Sequence, residues 1–300
     1  FAVISGACWK RSSQWWRAVD WGVGMNTSET RLNTTPALKK RKKMYTSLSM
    51  RQRWGIGSFI VFLALWELNR HLALIKPDLV SSPGRVIVAG WRLLTDGEFY
   101  SHLYVSMLEL FCGFFLAVVS GLIIGALIGR YRIIGSLFDP LQMALYSTPT
   151  VALVPLFVLW FGVGVGSKVF IVFIASFFPV LMNTASGIRQ VDPLLTRMSR
   201  SFGATDWQMF QKVLLPGALP AIITGIRLGW GRGIIGFVIG EMYVSLKGLG
   251  YLIRTYGNAV QTDYLFFLVV FVAAIGLIGT NLFRRLEQTL SPWREEEGTR

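Results

Sequence analysis

Six long apolar segments constrain this chain more than any other feature of its sequence. Most of them reach the roughly 20 residues that a helix needs to cross the hydrocarbon core of a bilayer. Inside a bilayer each backbone polar group must be satisfied within the protein, so such segments form helices. The sequence therefore predicts an all-α membrane protein with six transmembrane helices, at Trp54–Asn69, His102–Gly129, Leu141–Gly162, Val169–Ile188, Ala218–Tyr243 and Tyr264–Phe283.

The composition agrees with a membrane protein and excludes several other classes. Hydrophobic residues make up 53% of the 300 residues and charged residues only 15%, whereas a soluble chain carries about 25% charged residues. The two cysteines, Cys8 and Cys112, exclude a disulfide framework. The two histidines, His71 and His102, are too few for a histidine-based metal cluster, so we predict no metal site.

The positions of lysine and arginine predict the orientation in the membrane. With the N-terminus placed inside, the inside segments hold 21 basic residues and the outside segments hold 7; without the N-terminal tail the numbers are 10 and 7. Because cytoplasmic loops are enriched in Lys and Arg, we expect both termini to be cytoplasmic. The net charge of +14 is then a consequence of topology, and we predict no nucleic-acid partner.

The two ends of the chain are predicted to lie outside the membrane domain, which we place at residues 54–290. Residues 1–53 form a basic tail with the run Lys39–Lys43, and we expect it to be disordered near anionic lipid. Residues 1–24 hold four tryptophans but no signal-peptide core, so we interpret them as sequence upstream of a natural start at Met25. An interfacial amphipathic segment is the alternative. Residues 291–300 form a C-terminal tail.

Small residues and prolines indicate how the spans pack. Glycines recur every four residues on the second and fifth spans, a spacing that lets membrane helices approach closely; they are Gly121, Gly125 and Gly129, then Gly225, Gly229 and Gly233. The third span carries Pro149 and Pro155, each of which removes a backbone donor and bends a helix. Bent helices line many transport paths, although proline is common in membrane helices generally.

Charges inside the spans are candidates for function. Arg232 lies about 20 Å along the fifth span at 1.5 Å per residue, where a charge must face protein or water. It either attracts an anionic substrate or pairs with Glu109 or another carboxylate. The predicted residues of a translocation path are Arg232, Glu241, Glu109, Pro149, Pro155, Gly229 and Gly233.

No nucleotide or catalytic site is recognisable. The run from Gly162 to Lys168 is rich in glycine, but a P-loop needs Gly directly before the Lys and Ser or Thr after it. Here Ser167 precedes Lys168 and Val169 follows it. We therefore expect a chain that is not an enzyme and that binds no cofactor of its own.

The segment 190–217 between the fourth and fifth spans carries the most specific motif. Its sequence predicts a short amphipathic helix, a break at Gly203, a second short helix and a proline stop at Pro216. Nine residues separate Gly203 from Val213-Leu214-Leu215-Pro216. This spacing resembles the signature loop of ABC importer permeases: Glu-Ala-Ala, three residues, Gly, nine residues, then Ile-x-Leu-Pro. Arg197-Met198-Ser199 stands in the Glu-Ala-Ala positions, which reverses the charge of the first.

The resemblance extends over roughly residues 55–295. It is to permeases of the nitrate, sulfonate, taurine and bicarbonate type, and the runs that carry it are 149–162, 177–184, 224–229, 240–242 and 290–294. It implies a type I ABC importer bundle that carries a small, anionic solute through the bacterial inner membrane. It also implies a homodimer, two ABC ATPase subunits that bind ATP and Mg²⁺, and an extracytoplasmic solute-binding protein.

The same resemblance assigns ATPase coupling to the loop around Gly203. The residues concerned are Arg200, Ser201, Phe202, Gly203, Ala204, Thr205, Asp206, Trp207, Phe210 and Pro216. Two other classes remain open: a secondary transporter that needs no ATPase, and a membrane scaffold without transport. A secondary transporter commonly shows inverted repeats, and we find no convincing one in the sequence.

Overall fold

The computed structural model describes residues 50–72 and 81–290, and all regular structure within these ranges is helical. The chain divides into the units Phe1–Gln52 and Arg53–Arg300. The tails predicted at 1–53 and 291–300, and the start at Met25, fall almost entirely outside the described residues. The helices are α1 Met50–Leu72, α2 Pro83–Thr95, α3 Gly97–Arg130, α4 Arg132–Ser147, α5 Thr150–Phe161, α6 Val165–Arg189, α7 Pro193–Ser201, α8 Asp206–Met209, α9 Leu215–Val244, α10 Leu249–Asn258 and α11 Thr262–Leu290.

Four of the described helices are long and apolar enough to cross a membrane: α3, α6, α11 and the continuous helix Asp206–Val244 that contains α8 and α9. They confirm the second, fourth, fifth and sixth predicted spans. The first predicted span forms a helix, α1, but it is not among these four, because its sequence is charged at Arg53, Glu67 and Arg70. The count of six spans therefore stays a prediction.

The third predicted span is broken into two helices. Helices α4 and α5 meet at an angle of 97° across Thr148 and Pro149, and they make a fifth span only if the bent pair is counted as one. The residue before a proline is pushed out of the helical conformation, and Thr148 is accordingly extended. Helix α5 continues through Pro155, so the bend expected there stays a prediction. We call α4, α5 and the two residues between them the elbow.

Helices α3, α6 and α9 form the core of the bundle, with α6 between the other two. Both glycine stripes face α6. A methyl carbon added at Gly125 would lie 2.7 Å from the Leu181 carbonyl oxygen, and one added at Gly225 would lie 2.6 Å from Asn183 Cβ. These approaches leave no room for any side chain. The glycine spacing is thus confirmed as a close-packing surface.

Substituting Gly225 by valine tests this packing. The added side chain meets Asn183 and the Pro179 carbonyl oxygen at 3.1 Å, so α6 and α9 must separate, at a cost of about 1–3 kcal/mol in the free energy of unfolding. Gly231→Val is the matched control, since a Cβ there has nothing within 4 Å. Thermal unfolding of the detergent-solubilised chain should show a lower midpoint only for Gly225→Val. Equal losses in both variants would contradict the packing.

Helices α2 and α10 lie between predicted spans, in segments for which the sequence predicts no membrane helix. Helix α2 starts with Pro83 in its first turn and buries Val86, Ala89, Gly90 and Leu93. That spacing is typical of one helix face, so it is a signal that could have found the helix. Asp263, at the start of α11, accepts hydrogen bonds from Ser81 Oγ at 2.6 Å and Arg85 Nε at 2.9 Å, which fixes α2 against α11.

Candidate functional site

The segment 192–210, which we call the docking segment, connects the ends of α6 and α9. Asp192 caps α7 by accepting the Leu194 N–H at 2.7 Å. The helix ends in a turn in which Gly203 has φ +75° and donates its N–H to the Arg200 carbonyl at 2.9 Å. A residue with a Cβ pays about 1–2 kcal/mol in this left-handed conformation. The predicted break at Gly203 is therefore confirmed and has a conformational cause.

The second half of the docking segment runs directly into the membrane helix. Thr205 and Gln208 form a capping box at the start of α8, and a single π-turn, Phe210–Leu214, joins α8 to α9. The predicted stop at Pro216 is wrong, since this proline lies in the first turn of α9 and the helix passes through it. A proline donates no N–H, and the wider π-turn just before it adjusts the hydrogen-bond register.

The docking segment exposes an apolar surface. None of the residues of α7 is buried, and Phe202 is 86% exposed and Trp207 64%. The other large apolar residues exposed there are Leu194, Leu195 and Met198. Except for Trp207, which lies at the start of the continuous helix Asp206–Val244, these residues lie outside the helices that are long enough to span a membrane. Such a surface is typical of an interface with another protein.

The docking segment is also braced against the bundle. Arg130, at the end of α3, donates to the Asp206 carbonyl at 3.1 Å and lies 5.6 Å from the centre of the Phe210 ring. Asp206 also pairs with Arg200 at 3.8 Å, and the Trp207 and Phe210 rings stack at 5.8 Å. Of the other residues predicted for coupling, Ser201 and Pro216 are exposed and Ala204 is half-buried. The segment can therefore pass a displacement to α3 and α9.

A sealed cluster of polar side chains lies at the opposite end of the same three helices. It joins Glu109 of α3, Lys168 of α6 and Glu241 of α9. Glu109 forms an ion pair with Lys168, whose Nζ also donates to Ser245 Oγ at 3.0 Å. Both glutamates are 0% exposed, so these two predicted path residues lie in the interior. We call this set the polar lock.

The polar lock also holds the turn between α9 and α10. Glu241 accepts hydrogen bonds from Ser106 Oγ at 2.6 Å and from the Gly250 N–H at 2.7 Å. Ser106 Oγ in turn accepts the Leu249 N–H at 2.8 Å. Nothing in the sequence around Lys168 predicts this role, and its position at the edge of a glycine-rich run favours a loop instead. The available signal would have been a lysine at the end of one predicted span together with glutamates in two other spans.

A cavity of about 320 Å³ lies between the elbow, α6 and α9. Arg232 is the one charged residue among those that line it, and its Nη2 donates to Tyr146 Oη at 3.4 Å. The alternative pairing of Arg232 with Glu109 is wrong, because Glu109 pairs with Lys168. Pro149 forms the bend of the elbow at the side of this cavity.

Gly229 and Gly233, the remaining predicted path residues, lie at the contact between α9 and α6. A methyl carbon added at Gly229 would be 3.0 Å from the Ser176 carbonyl oxygen, and one added at Gly233 would be 2.5 Å from Ser176 Oγ. Both glycines are buried. Their small size is thus required for packing, whereas Arg232, between them in the sequence, reaches Tyr146 of the elbow.

Comparison with known proteins relates this architecture to transport proteins. The model of the family "binding-protein-dependent transport system inner membrane component" matches residues 117–292. The taurine transport system permease protein TauC of Escherichia coli (strain K12) is 31% identical over 262 residues, covering 86% of this chain and 95% of that protein. A Bacillus subtilis (strain 168) permease named for aliphatic sulfonates transport, SsuC, is 34% identical over 246 residues, covering 81% of this chain and 89% of that protein.

A solved structure shares the fold. A chain of the MetNI methionine ABC transporter, in an inward-facing conformation, superposes with a TM-score of 0.52 at 21% identity, covering 63% of this chain and 95% of that one. The family match covers more than half of the present chain, and the relatives align with most of it. The chain therefore belongs to the family of binding-protein-dependent transport system inner membrane components, and it is a non-catalytic, multi-pass ABC permease subunit of the bacterial inner membrane.

Proposed function

We propose that this permease forms the translocation path for a small anion and that its docking segment couples the path to a separate ATPase. The observation that carries the proposal is the exposed apolar surface of the docking segment, which includes Phe202 and Trp207. A charged guanidinium beside the cavity, that of Arg232, supports an anionic solute. So do the names of the relatives, which refer to taurine and aliphatic sulfonates.

The assembly that fits this proposal contains two permease copies, two ATPase subunits and a solute-binding protein. The docking segment and both chain termini face the cytoplasm, and α1 adds the sixth span. The polar lock, α2 and α10 then lie at the outer side, where the solute-binding protein docks. ATP and Mg²⁺ are bound by the ATPase subunits, which supply the free energy of transport.

The path works by alternating access. Closure of the ATPase pair displaces the docking segment, and the displacement passes to α9 because the helix is continuous from Asp206 to Val244. Ligand binding and such displacements change the populations of inward-open and outward-open states. Within this scheme Arg232 lines the path, whereas Glu109 and Glu241 hold the outer ends of α3, α6 and α9 together.

Isolation of the tagged chain from native membranes tests the proposal. We expect a P-loop ATPase to be retained in equal amount with the permease, and its ATP hydrolysis to rise severalfold when the solute-binding protein and solute are added to the reconstituted complex. Mass spectrometry and a phosphate-release assay measure these two results. A chain that is isolated alone and transports in liposomes without ATP would instead establish the secondary-transporter alternative.

A further inference from the structure

We propose that the cavity beside Arg232 is a binding site for a small organic anion with an apolar body, so that the permease itself selects its solute. The inference rests on the transport function proposed above and specifies the ligand class of the same path. The anionic group binds the guanidinium, and the apolar body lies against the aromatic and aliphatic lining. Selection in the importer is then shared between the solute-binding protein and this chain.

The charge of Arg232 is the first step. Within residues 50–72 and 81–290, the aspartates and glutamates that form ion pairs form them with cations other than Arg232. Tyr146 accepts one hydrogen bond from Arg232, whereas a guanidinium offers five N–H donors. A cation this far along a membrane helix must face protein or water. Arg232 is exposed and lines the cavity, so its remaining donors can meet an anion there.

The apolar wall is the second step. Most of the other residues that line the cavity are aromatic or aliphatic, and they include Phe157, Trp160 and Phe170. The Phe157 and Phe170 rings pack edge to face, with 5.1 Å between their centres. An inorganic anion such as nitrate would lose hydration along this wall without gaining hydrogen bonds. An alkyl or aryl group gains free energy there in proportion to the apolar area that it buries.

The volume of the cavity is the third step. Ligand pockets commonly measure about 300–1,000 Å³, and this one, at about 320 Å³, is near the lower limit. It accommodates an anionic group with a body of a few carbon atoms. Peptides and oligosaccharides are too large for it.

Equilibrium binding to the intact complex tests the site. The full-length permease with its ATPase is reconstituted in nanodiscs of zwitterionic lipid, without nucleotide, and is titrated calorimetrically with methane-, propane- and hexanesulfonate and with nitrate. Empty nanodiscs correct for partition into lipid. We expect the affinity to rise about fourfold per methylene, which corresponds to about 0.8 kcal/mol, and nitrate to bind at least about tenfold more weakly than hexanesulfonate.

Two arginines on the same helix provide a matched pair of variants. Arg232→Gln should weaken binding of every alkanesulfonate about tenfold or more, since it removes the charged donor, and Arg232→Lys should retain part of the affinity. Arg227→Gln is the control, because Arg227 pairs with Glu287 at 3.6 Å and does not line the cavity. Its affinities should stay within about twofold of the unaltered chain.

Either of two results would overturn the inference: equal affinities for nitrate and hexanesulfonate, or unchanged affinities in Arg232→Gln. The measurement needs no ATP, so it is separate from the test of the proposed function. A complex that hydrolyses ATP and transports normally but binds no alkanesulfonate in the cavity would refute this inference alone. A chain that binds these anions but never associates with an ATPase would refute the proposed function instead.

Discussion

Replacing Lys168 by methionine should lower the free energy of unfolding by about 3–5 kcal/mol, because the substitution leaves the Glu109 carboxylate buried without its partner. Glu109 is 0% exposed, and Lys168 is the cation with which it pairs. The substitution also removes the donor to Ser245 Oγ. The loss should appear as a large drop in the thermal midpoint of the detergent-solubilised permease and in its abundance in membranes.

A second substitution distinguishes a lost charge pair from lost packing. The double variant Lys168→Met with Glu109→Gln removes both charges, and we expect it to recover at least about half of the lost stability, since neutral replacements of a buried pair are tolerated far better than a broken pair. A single Lys168→Met variant as stable as the unaltered chain would show that the polar lock does not form. An equally unstable double variant would assign the loss to packing instead.

Replacing Gly203 by valine should reduce ATP-driven uptake at least about tenfold while leaving the permease folded. Gly203 has φ +75° and a Cβ there meets no neighbour within 4 Å, so the effect is conformational, not steric. A β-branched residue is strongly disfavoured in the left-handed region, and the turn must change its geometry. The orientation of α7 relative to α8 then changes, so Phe202 and Trp207 no longer form one surface, and the docking surface is lost.

Gly203→Asn is the matched control, because asparagine tolerates the left-handed conformation. It should keep most of the uptake and of the solute-stimulated ATP hydrolysis. Both variants should bind alkanesulfonates equally well, since the cavity lies away from the docking segment. If Gly203→Val transports normally and still associates with the ATPase, the docking role proposed for this turn is wrong.

The parts of the fold that follow from lipid chemistry could be predicted from the sequence. Helices α3, α6, α9 and α11 are long apolar runs, and a bilayer permits such runs only one local structure. Gly203 could be predicted as a break because a positive φ strongly favours glycine. In both cases a local requirement determines the structure, so no knowledge of distant contacts is needed.

The features that depend on tertiary contacts could not be predicted in the same way. The sequence offers Arg232 several carboxylate partners, and only the packing of α3 on α6 shows that Glu109 belongs to Lys168. Proline signals were ambiguous for a different reason. Proline separates two helices at Pro149, lies inside a helix at Pro155 and lies in the first turn of a helix at Pro216. Its effect differs because it depends on which carbonyl loses its hydrogen-bond donor.

The continuous helix from Asp206 to Val244 has a mechanical consequence. Its 39 residues make a rod about 58 Å long at 1.5 Å per residue, with the docking segment at one end and the polar lock at the other. The π-turn Phe210–Leu214 and Pro220 lie near the docking segment, so bending within this helix is expected there and not in the part that reaches the polar lock. The elbow at Thr148 and Pro149 is a second place where helical hydrogen bonding is interrupted, and bending at the elbow would change the volume of the cavity between it and the long helix.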